Sequence, residues 1–451
     1  MSMKAQIIRT AKWAKRTLKK LRPVDERGVL SPVRRINRVA LSERVCAMTF
    51  DDGPTALPPE PDHTGGRALT DHLLDVLREY GAHATFDVIG STAENYPDRA
   101  GKPGTPQWGG IAYDHYPDLN CDDMAGAVSQ SRLIGRILAE GHDLSNHGYR
   151  HIIFGKKGVI YGKRRYLQSG REVYDDLKKL DDLLREYHGY SLSLGRPPHY
   201  VDRLPDGLTS YDIYLLLGYQ YMGASFDGDG WLPKPTYDEE VRAMVEPMRA
   251  LLEADPDALC GQIVFQKDGY NMQKRTPVAD GLAQQLELLR KYGYRVVPVG
   301  ELTALSQFED LGPDDPLYPT VSGLLRAGYT VVYRDNRVKL HLPVTRGELA
   351  MFVTPRDELV RTVRERMEGK PLSAIGGLDA RHPYYGAVRY TLERGLLSLA
   401  GGKFDPAAPI TPADLQGLYP QLGGSDVQVS TARADILTTL FTLLGGSGAG
   451  R

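Results

Sequence analysis

The chain has 451 residues, 41% of them hydrophobic and 25% charged, with a formal net charge of −1. That length accommodates two or three domains, and that balance is the balance of a globular chain. A near-neutral total argues against a nucleic-acid partner held by bulk charge, and no run of about 18 apolar residues is present to span a bilayer.

The first 44 residues carry 13 Lys/Arg against three acidic residues. Between Lys4 and Arg22, the residues Ile7, Ile8, Ala11, Ala14, Leu18 and Leu21 recur at helical spacing, with Lys12, Lys15, Arg16, Lys19 and Lys20 on the remaining surface. The pattern predicts a basic amphipathic helix in an N-terminal segment, 1–44. Peripheral contact of residues 4–22 with an anionic membrane is one reading. One such helix binds a bilayer only marginally, so a helix packed on its own domain is the simpler account. Lys12, Lys15 and Arg16 interrupt any secretory apolar core, so the expected location is cytoplasmic or membrane-peripheral. Cys46, Cys121 and Cys260 are too few and too scattered for a disulfide framework or a Cys-x-x-Cys metal site.

Over residues 45–308 one grammar repeats: a helical stretch ends at Gly and a short apolar run follows. The joints are Gly81, Gly141, Gly218 and Gly293, each suited to a left-handed helix C-cap. Together with Val45–Phe50, Leu192–Arg196 and Gln262–Phe265, the runs that follow them give about seven strands. Helices are expected near 69–80, 126–140, 170–187, 208–217, 237–253 and 279–292. Such alternation makes a parallel sheet. Because the unusual polar residues cluster past the strand ends, closure into a distorted (β/α) barrel is the expectation, with its chemistry at the C-terminal rim. The Gly/Pro/Asp-rich stretch from Asn95 to Cys121 is expected to be a long loop over that rim.

After about residue 310 strands disappear. Stretches 315–359 and 378–422 share an order of features: a Tyr-containing helix ending near Gly328 or Gly395, a polar turn, then a helix started by Thr345 or Thr411 with an acid at its third position. A third start lies at Ser430-Thr431-Ala432. Residues 312–445 are expected to form a smaller, mainly α-helical repeat domain.

Thr49-Phe50-Asp51-Asp52-Gly53-Pro54 ends an apolar strand in two carboxylates that point different ways, so one can ligate a metal while the other faces a water. Asp-Gly and Gly-Pro are also common turn dipeptides. His147-Gly148-Tyr149-Arg150-His151 adds two imidazoles at i and i+4, and an Asp with two His leaves open positions on a divalent ion.

These two motifs, in this order, resemble those of the polysaccharide deacetylase family, the NodB-homology or family 4 carbohydrate esterases, over roughly residues 44–305. The resemblance implies a distorted (β/α) barrel that hydrolyses N-acetyl, sometimes O-acetyl, groups of a glycan. It assigns Asp52, His147 and His151 as ligands of one divalent metal, most commonly zinc, with cobalt or nickel as alternatives, and Asp51 as general base. Arg196-Pro197-Pro198-His199-Tyr200 is similar to the motif whose Arg orients the base. Asp227-Gly228-Asp229-Gly230-Trp231 resembles the motif that lines the cleft, with Gly230 intervening. Pro198, Tyr200, Asp229 and Trp231 are therefore the expected substrate-binding residues.

The departure comes after Ile263-Val264-Phe265, where the family has a His that protonates the leaving amine and this chain has Gln266-Lys267-Asp268. An ammonium, ordinarily titrating near about 10, is a poor donor at neutral pH unless burial or a nearby cation lowers it. Either Lys267 is tuned, His199 serves, or the protein is a weak or inactive carbohydrate binder that keeps the metal. The C-terminal stretches are similar to S-layer homology modules, through Thr345-Arg346-Gly347-Glu348, Phe404-Asp405-Pro406 and Thr411-Pro412-Ala413-Asp414. That resemblance implies binding of cell-wall polysaccharide and a cell-surface location, against which degenerate copies serving as a helical scaffold stand as the alternative.

Overall fold

All four glycine joints have positive φ in the computed structural model, from +61° at Gly81 to +83° at Gly218. They end helices at the left-handed residue that only glycine adopts without strain. The structure describes residues 28–94, 123–156, 166–271, 273–424 and 427–445. The basic segment 4–22 and the stretch from Asn95 to Cys121 lie outside them.

The helices between the joints are Leu69–Glu79, Ser131–Ala139, Gly170–His188, Ser210–Leu217, Tyr237–Ala254 and Val278–Lys291. Two begin with a capping box, Thr209 with Asp212 and Thr236 with Glu239. There the Thr hydroxyl and the acid three residues on satisfy each other's orphan backbone donors.

The main strands are β1 (Arg35–Ile36), β2 (Val45–Asp51), β3 (Thr85–Val88), β4 (Asp143–Asn146), β7 (Leu194–Gly195), β8 (Gln220–Met222), β9 (Phe226–Asp227), β10 (Ile263–Lys267) and β11 (Arg295–Val297). A separate pair joins β5 (Ile153–Phe154) to β6 (Tyr166–Leu167). The main sheet runs β1-β8-β7-β4-β3-β2-β10-β9, and every pairing in it is parallel. On the edge of β2 away from β10, β11 pairs with Val45–Ala47 and β3 with Thr49–Asp51. Every residue of β2 is buried, as expected of a strand covered on both faces.

The expected distorted barrel of about seven strands is a curled, all-parallel sheet of nine strands, consistent with that expectation. β9 follows β8 after only three residues, the Ser225 amide donates to the Ile263 carbonyl at 3.0 Å, and Arg38 bridges to Gln262, so the run from β8 to β9 carries the sheet from β7 round to β10.

The helices that follow are Val299–Leu305, Tyr318–Arg326, Arg346–Val353, Arg356–Met367, Tyr385–Glu393, Pro412–Gln421 and Arg433–Leu440. Thr345 and Thr411 each form the expected capping box, with Glu348 and Asp414. The third start differs: Ala432 is the cap residue and has no side chain to accept a bond. Arg356–Met367 packs on Ser210–Leu217, and one hydrophobic cluster runs from Phe86 and Tyr214 through Tyr333, Phe352 and Leu437. Among the described residues no helix is long and apolar enough to cross a membrane.

Candidate active site

Parallel register brings the first three groups together. Asp51 ends β2 with Lys267 of β10 as its neighbour on one side and Asp87 of β3 on the other. All three side chains are buried. One residue on, Asp52 has φ +82°, a strained conformation that Asp tolerates better than most residues and that turns its carboxylate back over the strand ends. Gly53 permits the turn, since a Cβ there would overlap the carboxylate of Asp268.

His147 and His151 leave β4 and converge on Asp52. Their Nε2 atoms lie 3.2 and 3.0 Å from its Oδ1, and their rings are 5.0 Å apart. His151, like Asp52, has positive φ. On the far side of its ring, His147 donates from Nδ1 to the Arg196 carbonyl at 2.8 Å, with Asp87 Oδ2 also 2.8 Å away. That support fixes the tautomer that leaves Nε2 facing Asp52. The donor atoms of Asp52, His147 and His151 fit within 4.8 Å of one another, and a second such group is Asp51, Asp87 and His147. An oxygen and two imidazole nitrogens, buried and braced from behind, suit a divalent transition-metal ion.

Arg196 is fully buried, and each of its three nitrogens donates. One Nη contacts Asp51 and Thr49 Oγ1, the other donates to the Gly223 carbonyl at 2.7 Å, and Nε donates to the Met222 carbonyl. Burial pushes the Asp51 carboxyl up to about 7, against the pull of Arg196 and His147. Burial opposes ionisation of Asp52 as well, but Lys267, His151 and the imidazole hydrogen bonds hold it well below the usual carboxylate range. His147 is raised in spite of burial, by Asp87 and Asp51. The two adjacent carboxylates are thus pushed apart, a common arrangement where acid and base roles are divided.

Lys267 pairs with Asp52 Oδ2. Next to it, Asp268 is completely buried, accepts from Thr70 Oγ1 at 2.7 and 2.9 Å, and is pushed by burial up to about 7.

The remaining sequence candidates fall into two groups. Pro198 packs behind the metal-ligand turn, where a Cβ on Gly148 would meet its ring at 3.7 Å. Tyr200, with φ +55°, lies under the guanidinium of Arg196 at 5.6 Å and that of Arg35 at 4.9 Å. The His199 ring is 5.5 Å from that of His151. Asp229 and Trp231, past β9, fold back locally: Trp231 donates from its indole to Asp227 at 3.1 Å, and the Asp229 carboxylate lies 3.2 Å from Lys234.

Asp87 and Asp268 escaped the sequence reading. Asp87 carried a signal, a carboxylate between Phe86 and Val88 inside an otherwise apolar parallel strand, where strands covered on both faces read as continuous apolar runs.

Residues 38–203 match the polysaccharide deacetylase family model. The chain is 25% identical over 261 residues to a peptidoglycan-N-acetylglucosamine deacetylase of Bacillus cereus, covering 58% of this chain and 89% of the relative. It is 26% identical over 158 residues to the peptidoglycan-N-acetylmuramic acid deacetylase PdaC of Bacillus subtilis, covering 35% of this chain and 22% of that one. The structure of peptidoglycan deacetylase PdaC from Bacillus subtilis aligns with 59% of this chain and 93% of its own, at 21% identity and a TM-score of 0.38. The matched stretch contains Asp51, Asp52, His147, His151 and Arg196, and over it the chain is similar to the polysaccharide deacetylase family.

Proposed function

We propose that the protein is a metal-dependent hydrolase that removes N-acetyl groups from a glycan, with O-acetyl groups as a secondary possibility and peptidoglycan as the first substrate to try. The observation that carries this is the convergence of Asp52, His147 and His151 beside an Asp51 gripped by Arg196. The relatives that act on N-acetylated peptidoglycan favour the same reaction.

In this reading Asp52, His147 and His151 hold the ion, zinc first, with cobalt or nickel as alternatives. Once bound there, it supplies a Lewis acid that polarises the acetyl carbonyl and acidifies a water. Asp51 takes the water proton, and its carboxyl near 7 suits a base working at neutral pH. Arg196 keeps that carboxylate pointed at the strand ends. Tyr200, Pro198, Asp229 and Trp231 are assigned to the sugar. Protonation of the departing amine falls to Lys267 or His199.

A second reading, a glycan-binding protein with little turnover, is favoured by one observation: the Lys267 ammonium is committed to Asp52. The domain division 1–44, 45–308 and 312–445 belongs to the proposal. So does attachment to cell-wall polysaccharide through S-layer homology-like repeats, which rests on the repeated Thr-capped helix starts.

Acetate release from peptidoglycan and from N-acetylglucosamine oligomers, with zinc or cobalt added, is the test. Metal-dependent release by the native protein and loss of at least about 100-fold in Asp51→Asn are expected. No release on any acetylated glycan would leave the binding reading, and equal release by Asp51→Asn would remove that residue from its role.

A further inference from the structure

The metal-ligand carboxylate already has a cation of its own. The two oxygens of Asp52 are divided: Oδ1 faces the imidazoles of His147 and His151, and Oδ2 faces the ammonium of Lys267. A buried ammonium needs a counter-charge, and a buried carboxylate needs one as much. Both residues are about 4% exposed.

The sheet makes this encounter unavoidable. Lys267 is the last residue of β10 and the register partner of Asp51, while the Asp268 amide donates to the Asp51 carbonyl at 2.7 Å. Those bonds tie the end of β10 to the end of β2. Behind, Asp268 is anchored by Thr70. In front, Gly269 closes over the pair, since a Cβ there would lie 3.7 Å from the Asp52 Cβ and 3.9 Å from the Lys267 Nζ.

We infer that Lys267 is a built-in competitor for the metal: its ammonium neutralises Asp52 in the metal-free protein and must give way, or be endured as a like charge, when a divalent ion binds. The inference rests on the assignment of Asp52, His147 and His151 as ligands. It has two consequences. Affinity for the ion is set low by residue 267, so the site fills only where the ion is plentiful. The metal-free fold is self-sufficient, because the charge of Asp52 is compensated without metal.

The experiment compares the native protein with Lys267→Met, Lys267→His and Asp52→Asn. Zinc and cobalt affinities are read by competition with a chromophoric chelator, and thermal unfolding is followed with and without zinc. Lys267→Met is expected to bind zinc at least about 10-fold more tightly than native protein, since a nearby cation is removed from a buried site. Its metal-free form should melt lower than native, and zinc should raise its melting temperature by more. Lys267→His should tighten binding too, which keeps the test open if the Met variant fails to fold. Native affinity equal to that of both Lys267 variants overturns the competitor and leaves the metal site standing. No binding by the native protein or by either Lys267 variant, or binding unaffected by Asp52→Asn, overturns the ligand assignment itself.

Discussion

Asp87 Oδ2 lies 2.8 Å from Nδ1 of His147, on the side of the ring turned away from Asp52. Neither Asp87 oxygen has an aligned hydrogen-bond donor among the described residues, and the side chain is completely buried. A naked carboxylate in that position acts on the imidazole through its charge, making it a stronger donor to anything held at Nε2. Asp87→Asn keeps the shape and removes the charge. Zinc affinity should fall by about 10- to 100-fold, measured by chelator competition, while the fold is kept. Unchanged affinity would reduce Asp87 to a bystander.

Much of this site was readable before any coordinates, and the reason is local. Strand ends are marked by short apolar runs and the Gly-capped helices between them, so Asp51 and Asp52 after Val45–Phe50, His147 after the run at Gly141, and Arg196 ending Leu192–Arg196 could be placed at one rim. What was not readable depends on packing between strands. The two-residue strands β1 and β9 carry too little pattern to be seen, so the strand count came out low. Arg356–Met367 was missed although Leu359, Val360, Val363 and Met367 form an apolar stripe, because seven of its 12 residues are charged. Lys267 was placed at the right strand end, but its pairing with Asp52 follows from the register of β10 on β2, which no spacing within one segment reveals.

The C-terminal helices are pinned by a buried ion pair, Arg433 with Glu348 at 2.8 Å, both completely buried. Arg433 also donates to the Tyr333 hydroxyl at 2.8 Å and to the Leu342 carbonyl at 3.0 Å. Arg433→Met removes the cation facing Glu348, and breaking one side of such a pair costs about 3–5 kcal/mol. Denaturant unfolding should show that loss. The double variant Arg433→Met with Glu348→Met should recover part of it, since no buried charge is left behind, less what is lost with the bonds Glu348 accepts from the Thr345 amide and the Tyr333 hydroxyl. A double variant no better than the single would mean that packing, not charge, dominates there.

Gly53 is required by the space beside it. A methyl group at this position would run into the carboxylate of Asp268, which is held by the Thr70 hydroxyl and cannot swing aside cheaply. Gly53→Ala should destabilise the fold by about 1–3 kcal/mol, the usual range for overpacking, and should weaken zinc binding because Asp52 is the preceding residue. Gly53→Ala combined with Asp268→Ala should regain stability. If the single variant is as stable as native protein, the turn has slack that the packing does not suggest.

His142 gives the fold an acid-sensitive element away from the site. It is buried between β3 and the helix before β4, and its Nδ1 accepts from the Ala84 amide at 3.0 Å, which requires the neutral ring. Burial, with His83 and Arg136 nearby, lowers its pKa from 6.5 to about 4. The unfolded chain therefore binds the proton more readily than the folded one, so this group favours folding at high pH. Its contribution is complete above about 6.5, is lost as pH falls toward 4, and is flat below that, amounting to about 3 kcal/mol. His142→Asn keeps an acceptor for Ala84 and cannot titrate. Urea unfolding at pH 7 and at pH 4.5 should show native protein losing about 2–3 kcal/mol more than the variant over that interval. Parallel losses in the two proteins would show that the imidazole is not held neutral.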